Sequence, residues 1–279
     1  QNGYATGAVL GSAVLDARFG LNQGFDFYYD HFDFSRLEEA NLDEMERPGN
    51  LVADEALKWL KENAQKKFFL WMHLYDPHHP YNPPAPYAER HKSQPYDGEI
   101  AFADAQVGRV LAFLYQRTLI VVLGDHGEGL GEHGEKTHGF FIYDSTLHVP
   151  LIIKLPAGRN ARPAMVSEDA STLDVLPTVL DALRLTSSAQ VQGKSLLPRL
   201  QRKGTGSELY SESFLPRLHF NWSELRGLQS GRYHFIDGPK PELYDLESDP
   251  KELKNLYPEK KAVAAELQRT KDPQIAALL

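Results

Sequence analysis

Apolar and polar positions follow two rhythms along this chain. Apolar residues at 51, 52, 56, 57 and 60 have a helical spacing, and Phe68-Phe69-Leu70-Trp71-Met72 follows as a compact apolar run. The first pattern predicts an amphipathic helix over 51–63 and the second a buried strand. The order then repeats. Ile100, Ala103, Val107, Val110, Leu111 and Leu114 share one helical face over 99–114, ahead of the run Thr118-Leu119-Ile120-Val121-Val122-Leu123. Val149-Pro150-Leu151-Ile152-Ile153 gives a third strand, and 173–185 a further helix. Strands apolar on both faces, alternating with amphipathic helices, predict an α/β fold with a mostly parallel central sheet sandwiched by helices.

After Leu200 the texture changes. Residues 201–206 are polar and glycine-bearing, and short strand-like pieces follow at 209–212 and 233–236, punctuated by Gly231 and Asp237-Gly238-Pro239. The reading is a main α/β domain over 1–200 and a small C-terminal antiparallel α+β subdomain over 201–279, closed by a helix from about Lys260. No internal repeat is visible. Tyr115-Gln116-Arg117 makes a very short link between a helix and a strand, so a loop is expected to be missing there.

Composition narrows the class. In 279 residues, 42% hydrophobic and 24% charged, no apolar run approaches the ~20 residues that span a bilayer, which predicts a soluble chain with no membrane span. Thirty basic against 38 acidic residues give a net charge of −8, and the basic residues are scattered, which argues against nucleic acid as a partner. The absence of cysteine excludes disulfides, zinc–thiolate sites and a cysteine nucleophile within these residues, and leaves the compartment open, export included. The first residues show neither an initiating methionine nor a signal-peptide layout, so the chain is expected to begin inside a longer protein.

Candidate chemistry gathers in one stretch. Of eleven histidines, eight lie between His73 and His148. Gly124-Asp125-His126-Gly127-Glu128-Gly129 starts where the strand at 118–123 ends, and in open α/β sheets ligands bind beyond the carboxyl ends of strands. Asp125 and His126 there offer an oxygen and a nitrogen donor to a divalent cation. The strand at 68–72 runs on into Asp76-Pro77-His78-His79-Pro80-Tyr81, where the flanking prolines exclude helix and stiffen the loop. If the two strands are neighbours, His78 or His79 approaches Asp125, the other being a surface residue. Lys136 and His138, in Glu132-His133-Gly134-Glu135-Lys136-Thr137-His138-Gly139, can each supply positive charge or a proton to an oxyanion ester.

The run Gly124-Asp125-His126-Gly127-Glu128, then Leu130-Gly131-Glu132-His133-Gly134, then 143–153, resembles the second signature region of the sulfatase family. Similarities continue at 76–81, 96–104, 174–178, 193–198 and 242–250. The resemblance implies an alkaline-phosphatase-like fold and a metal-dependent sulfuric ester hydrolase acting on a small-molecule or glycan sulfate ester. It implies Asp125 and His126 as ligands of one divalent ion: calcium first, with manganese, magnesium or zinc as alternatives. It makes His78 the histidine that contacts the sulfate, with His79 beside it as a further substrate-binding candidate. His138, with Lys136, falls near the family's basic residue that bridges ester and nucleophile. The family's Cys/Ser-x-Pro-x-Arg nucleophile motif does not occur here and is expected upstream. Two alternatives stay within the superfamily: a phosphate or phosphonate ester hydrolase, and a phosphoethanolamine- or phosphoglycerol-type transferase. A non-catalytic binding protein that keeps the fold is the third.

Overall fold

The apolar spacing at 51–60 becomes helix α1 (Gly49–Asn63), which buries Val52, Ala53, Ala56, Trp59 and Leu60 along one stripe. The computed structural model describes residues 2–36, 45–114, 117–157, 163–187, 190–201, 206–270 and 275, grouped in two units, Gln1–Tyr115 and Gln116–Leu279.

In the first unit, strands β1 (Ala5–Val9), β2 (Phe27–Tyr29) and β3 (Phe68–Met72) form a parallel sheet in the order β2-β1-β3. Val9 lies opposite Tyr29 on one side and Met72 on the other. The parallel arrangement expected of the apolar run at 68–72 is present. Strand β1 is short of bulky side chains for a reason: a Cβ at Gly7 would sit 2.6 Å from the Trp59 ring. After a short helix α2 (Tyr87–Arg90), helix α3 (Pro95–Phe113) adds Val110 to the core of Val9, α1, Phe68, Leu70 and Met72. Burying each such aliphatic side chain contributes about 1.5–3 kcal/mol. The loop after β3 is fastened to α1, because Asp76 accepts the backbone N–H of Gly49, one of the helix's unpaired first-turn donors, at 2.9 Å.

In the second unit, β4 (Ile120–Leu123) pairs with β5 (Leu151–Lys154), and the pairing is antiparallel, with Leu123 opposite Leu151. The sequence pattern suggests a parallel partner for this run. Parallel pairing needs a covering crossover of a dozen or more residues, usually a helix. Between these strands the chain forms loops and a single helical turn, α4 (Asp144–Leu147), and returns beside itself. The helix expected over 173–185 is α5 (Val175–Leu183), led in by a 3-10 turn whose Ser171 and Asp174 form a capping box.

The C-terminal sheet is an antiparallel meander of β6 (Leu209–Ser213), β7 (Leu225–Ser230), β8 (Tyr233–Asp237) and β9 (Glu242–Asp245), with α6 (Leu215–Phe220) after β6. Phe235 and Leu243 pack on Ala264 of α7 (Lys261–Leu267), while Ile236 and Tyr244, one residue on, face Ile142. That second face holds the segment after His138. Residues 115–116, where a missing loop is expected, and 202–205 of the polar stretch lie outside the described residues. Among the described residues no helix is long and apolar enough to cross a membrane.

Candidate functional site

Strand β4 delivers Asp125 and His126 to solvent just past its carboxyl end, as the motif's position implies. His126 Nδ1 lies 2.8 Å from the Gly127 carbonyl oxygen, which can only accept, so Nδ1 carries the proton. This leaves Nε2 as a donor atom for a cation, 3.9 Å from Asp125 Oδ2. The pair therefore fits part of a coordination shell, one carboxylate oxygen and one imidazole nitrogen. Among the described residues no group of three or more His, Asp or Glu side chains is arranged to hold a metal ion.

Gly127 is fixed by packing. Its N–H donates to the Thr146 carbonyl at 2.8 Å, and a Cβ there would lie 2.3 Å from the Ser145 carbonyl oxygen. The motif thus lies directly on the backbone of α4.

The structure brings His138 to His126, with ring centroids 4.0 Å apart. His138 Nδ1 is 3.2 Å from Oε1 of Glu128, whose side chain is buried. The hydrogen bond to Glu128 raises the His138 pKa, burial opposes this, and the charges of Glu128, Glu135 and Asp125 raise it further. Glu128 is the residue that sequence reasoning left without a role, although it closes the Gly-Asp-His-Gly-Glu run. Lys136 lies on the exposed part of the same loop. Buried Glu135 holds that loop from inside, its carboxylate accepting the N–H groups of Phe140 at 2.8 Å and Phe141 at 3.1 Å.

His78 and His79 belong to the first unit, on the proline-rich loop between β3 and α2. His78 is half-buried and stacked on Tyr75, ring centroids 4.0 Å apart, with Nδ1 2.7 Å from the His79 carbonyl and Nε2 3.0 Å from the Tyr75 hydroxyl. His79 is exposed, its ring edge-on to Tyr81. Below them Glu99 of α3 accepts the backbone N–H of His78 at 3.2 Å and of Asn82 at 2.6 Å. Burial pushes the Glu99 carboxyl up to about 7; the two N–H groups oppose this, and the charges of Asp76 and Glu46 add to it.

A carboxyl whose folded pKa exceeds its unfolded value of 4.5 favours the folded state while protonated, and that stabilisation is lost as pH rises towards 7. Chemical-denaturation stability should therefore fall by something on the order of 2 kcal/mol between those pH values, and Glu99→Gln should remove this part of the slope. A wild-type-minus-variant difference that is flat across the window would contradict it.

A model of the sulfatase family matches residues 1–185, and a model described as N-sulphoglucosamine sulphohydrolase, C-terminal, matches residues 131–276. The chain is similar to the Δ4,5-hexuronate-2-O-sulfatase of Bacteroides thetaiotaomicron, 31% identical over 183 residues, covering 60% of this chain and 37% of that protein. It is also similar to arylsulfatase K of Bos taurus, 34% identical over 176 residues, covering 57% of this chain and 30% of that protein. The chain thus spans about a third of the length of these relatives. Among solved structures, a complex with its substrate D-glucosamine-2-N,6-O-disulfate aligns with TM-score 0.68 at 18% identity, over 97% of this chain and 81% of that one. The phosphonate monoester hydrolase of Agrobacterium radiobacter aligns with TM-score 0.73 at 20% identity, over 95% and 76%. At these identities the structures speak for the fold alone, an alkaline-phosphatase-like α/β fold. With the family match running over the first 185 residues and through both loops described above, the chain belongs to the sulfatase family.

Proposed function

We propose that the complete protein is a sulfuric ester hydrolase that uses a divalent cation. The observation that carries this reading is the grouping of Asp125, His126, His138 and Glu128 at the end of β4, in a chain that matches the sulfatase family. The relatives' names point to sulfated sugars and aryl sulfates, and a sugar sulfate ester is the substrate class of this reading.

Asp125 and His126 would hold the ion, calcium first and manganese, magnesium or zinc as alternatives, with further ligands from beyond this pair. A bound cation neutralises ester oxygens and lowers the pKa of a nucleophile. His138 is the proton donor: with Nδ1–H taken by Glu128, an imidazolium has one proton left to give, at Nε2, to the leaving oxygen. Lys136, exposed nearby, is the second candidate for that work. His78 and His79 are the substrate contacts. In that role the Tyr75 hydroxyl must release His78 Nε2, whereas His79 is already open. The division at residue 200 into a main domain and a small subdomain belongs to the same reading, supported by the separate four-stranded sheet of β6 to β9.

A second reading, a phosphonate or phosphate ester hydrolase, is favoured by the fold neighbour that hydrolyses phosphonate monoesters. Turnover of aryl sulfate, sugar sulfate, phosphate mono- and diesters and phosphonate, with and without a chelator, separates the two. The expected result is chelator-sensitive hydrolysis of sulfate esters, together with less bound cation in Asp125→Ala and His126→Ala by elemental analysis. Absence of sulfate-ester turnover sinks the first reading, and unchanged metal content in both variants sinks the ligand assignment.

A further inference from the structure

The loop that carries His138 is gripped at both ends by two consecutive residues of the C-terminal region, Lys251 and Glu252. At the near end, His133 Nε2 donates to the Lys251 carbonyl oxygen at 3.1 Å. At the far end, Glu252 Oε2 accepts the N–H of Asp144, the first residue of α4, at 2.7 Å. The other carboxylate oxygen, Oε1, lies 2.6 Å from His234 Nδ1 on β8.

This carboxylate is built in. Glu252 is 2% exposed and His234 1%, so each oxygen of a costly buried group is matched to a donor. Glu252 adopts φ 55°, a left-handed backbone that a side-chain-bearing residue takes only when its surroundings demand it. The turn that imposes it hangs from the end of β9: the Glu252 N–H donates to the Asp249 carbonyl, and that of Asp249 to the Asp245 carbonyl. Between the two anchors the neck of the loop is closed by the rings of His133 and Tyr143, 3.6 Å apart and nearly parallel, with the Tyr143 hydroxyl donating to Glu242 of β9 at 2.9 Å.

We propose that Glu252, with the Lys251 carbonyl, is a positioning device that sets the 133–144 loop so that His138 faces the leaving oxygen. The proposal rests on the sulfate-ester reading and on His138 as its acid. Proton transfer needs the two heavy atoms about 2.6–3.2 Å apart, and a displacement of about 1 Å costs on the order of 100-fold in rate.

The test uses the complete protein and a series of sulfate esters whose leaving groups run from an acidic nitrophenol to a simple alcohol. Glu252→Ala is expected to lower kcat on the alcohol ester by about 10- to 100-fold and on the nitrophenol ester by less than about 3-fold, with KM little changed. His138→Ala supplies the reference for such leaving-group selectivity. His133→Ala, which removes the other anchor, should show the same selective loss. Glu252→Gln should recover most of the activity, since its amide oxygen still accepts from Asp144 and its amide nitrogen donates to His234 once the ring proton moves to Nε2. Amide hydrogen exchange over 133–144 should quicken in Glu252→Ala and His133→Ala and stay near wild type in Glu252→Gln. Equal losses along the ester series, or unchanged exchange in both alanine variants, would overturn the proposal. A wild type inactive on every ester would instead overturn the hydrolase reading, and the catalytic role of the clamp with it.

Discussion

Replacing His138 with asparagine is expected to lower kcat on a sulfate ester of an ordinary alcohol by about 10²- to 10⁴-fold, the span that a positioned general acid contributes. Asparagine is the informative choice because its amide can still donate to the buried Glu128 carboxylate, as Nδ1 of His138 does. Its amide N–H groups are far too weakly acidic to protonate a leaving oxygen. Alanine would remove the same acid and in addition leave Glu128 buried and unpaired, at a stability cost of about 1–3 kcal/mol. The two variants should therefore share the loss of kcat and differ in thermal stability, asparagine being the more stable. Steady-state kinetics on an alcohol ester and an activated aryl ester, beside melting curves, check both halves. An asparagine variant with wild-type kcat on the alcohol ester would remove His138 from the reaction.

Gly127→Ala is expected to damage folding and site together. The atoms that a Cβ would meet are backbone: Ser145 O at 2.3 Å, Thr146 Cα at 3.1 Å and Ser145 C at 3.2 Å. No rotamer change relieves such contacts, so either α4 or the 124–128 segment must move. Overpacking costs about 1–3 kcal/mol even where side chains can give way, and the Gly127–Thr146 hydrogen bond is endangered as well. A loss of about 3 kcal/mol or more is expected. Because Asp125 and His126 immediately precede this contact, bound cation should fall with it. Gly108 on α3 gives the contrast: apart from its own helix, no atom of the described residues lies within 4 Å of its would-be Cβ, so alanine there should be neutral or mildly stabilising. Denaturation midpoints and metal content of the two variants decide it. A Gly127→Ala protein as stable as wild type would show that the motif does not lie against α4.

The elements legible in the sequence were those whose burial is periodic or continuous. Helix α1, strand β3 and helix α3 stand close to where apolar spacing puts them, and β4 and β5 lie within the runs at 118–123 and 149–153. The partner of β4 was not legible, because an apolar run shows that a strand is buried and carries no information on the direction of its neighbour. Strands β1, β7 and β9 escaped for a related reason. β1 is made of small residues because Trp59 fills the space above Gly7. β7 is interrupted by Gly227, whose would-be Cβ meets Ser211, Ile142 and His234, and β9 places glutamate and aspartate at its ends.

The candidate site divides in the same way. Asp125 and His126 were readable because glycines and a strand end frame them. The approach of His138 to His126 was not, since eleven residues of loop separate them and the closing contacts come from Glu128, Glu135 and the remote Glu252. Carboxylates that fold a loop from within carry no local pattern. Glu99 is a further case: on α3 it reads as an ordinary helix glutamate, and only the fold places it beneath the backbone of His78 and Asn82.

A loop tied at 133 and 144 and braced in its middle by Glu135 has consequences for how such a protein can diversify. The outward side chain of Phe141, unlike the candidate proton donor Lys136, takes no part in those hydrogen bonds or in the proposed chemistry, and it lies near His138 in sequence. Positions of that kind can be varied while the frame stays in place. A mutant library aimed at new sugar preferences would therefore vary these positions and leave His133, Glu135, Asp144 and Glu252 untouched.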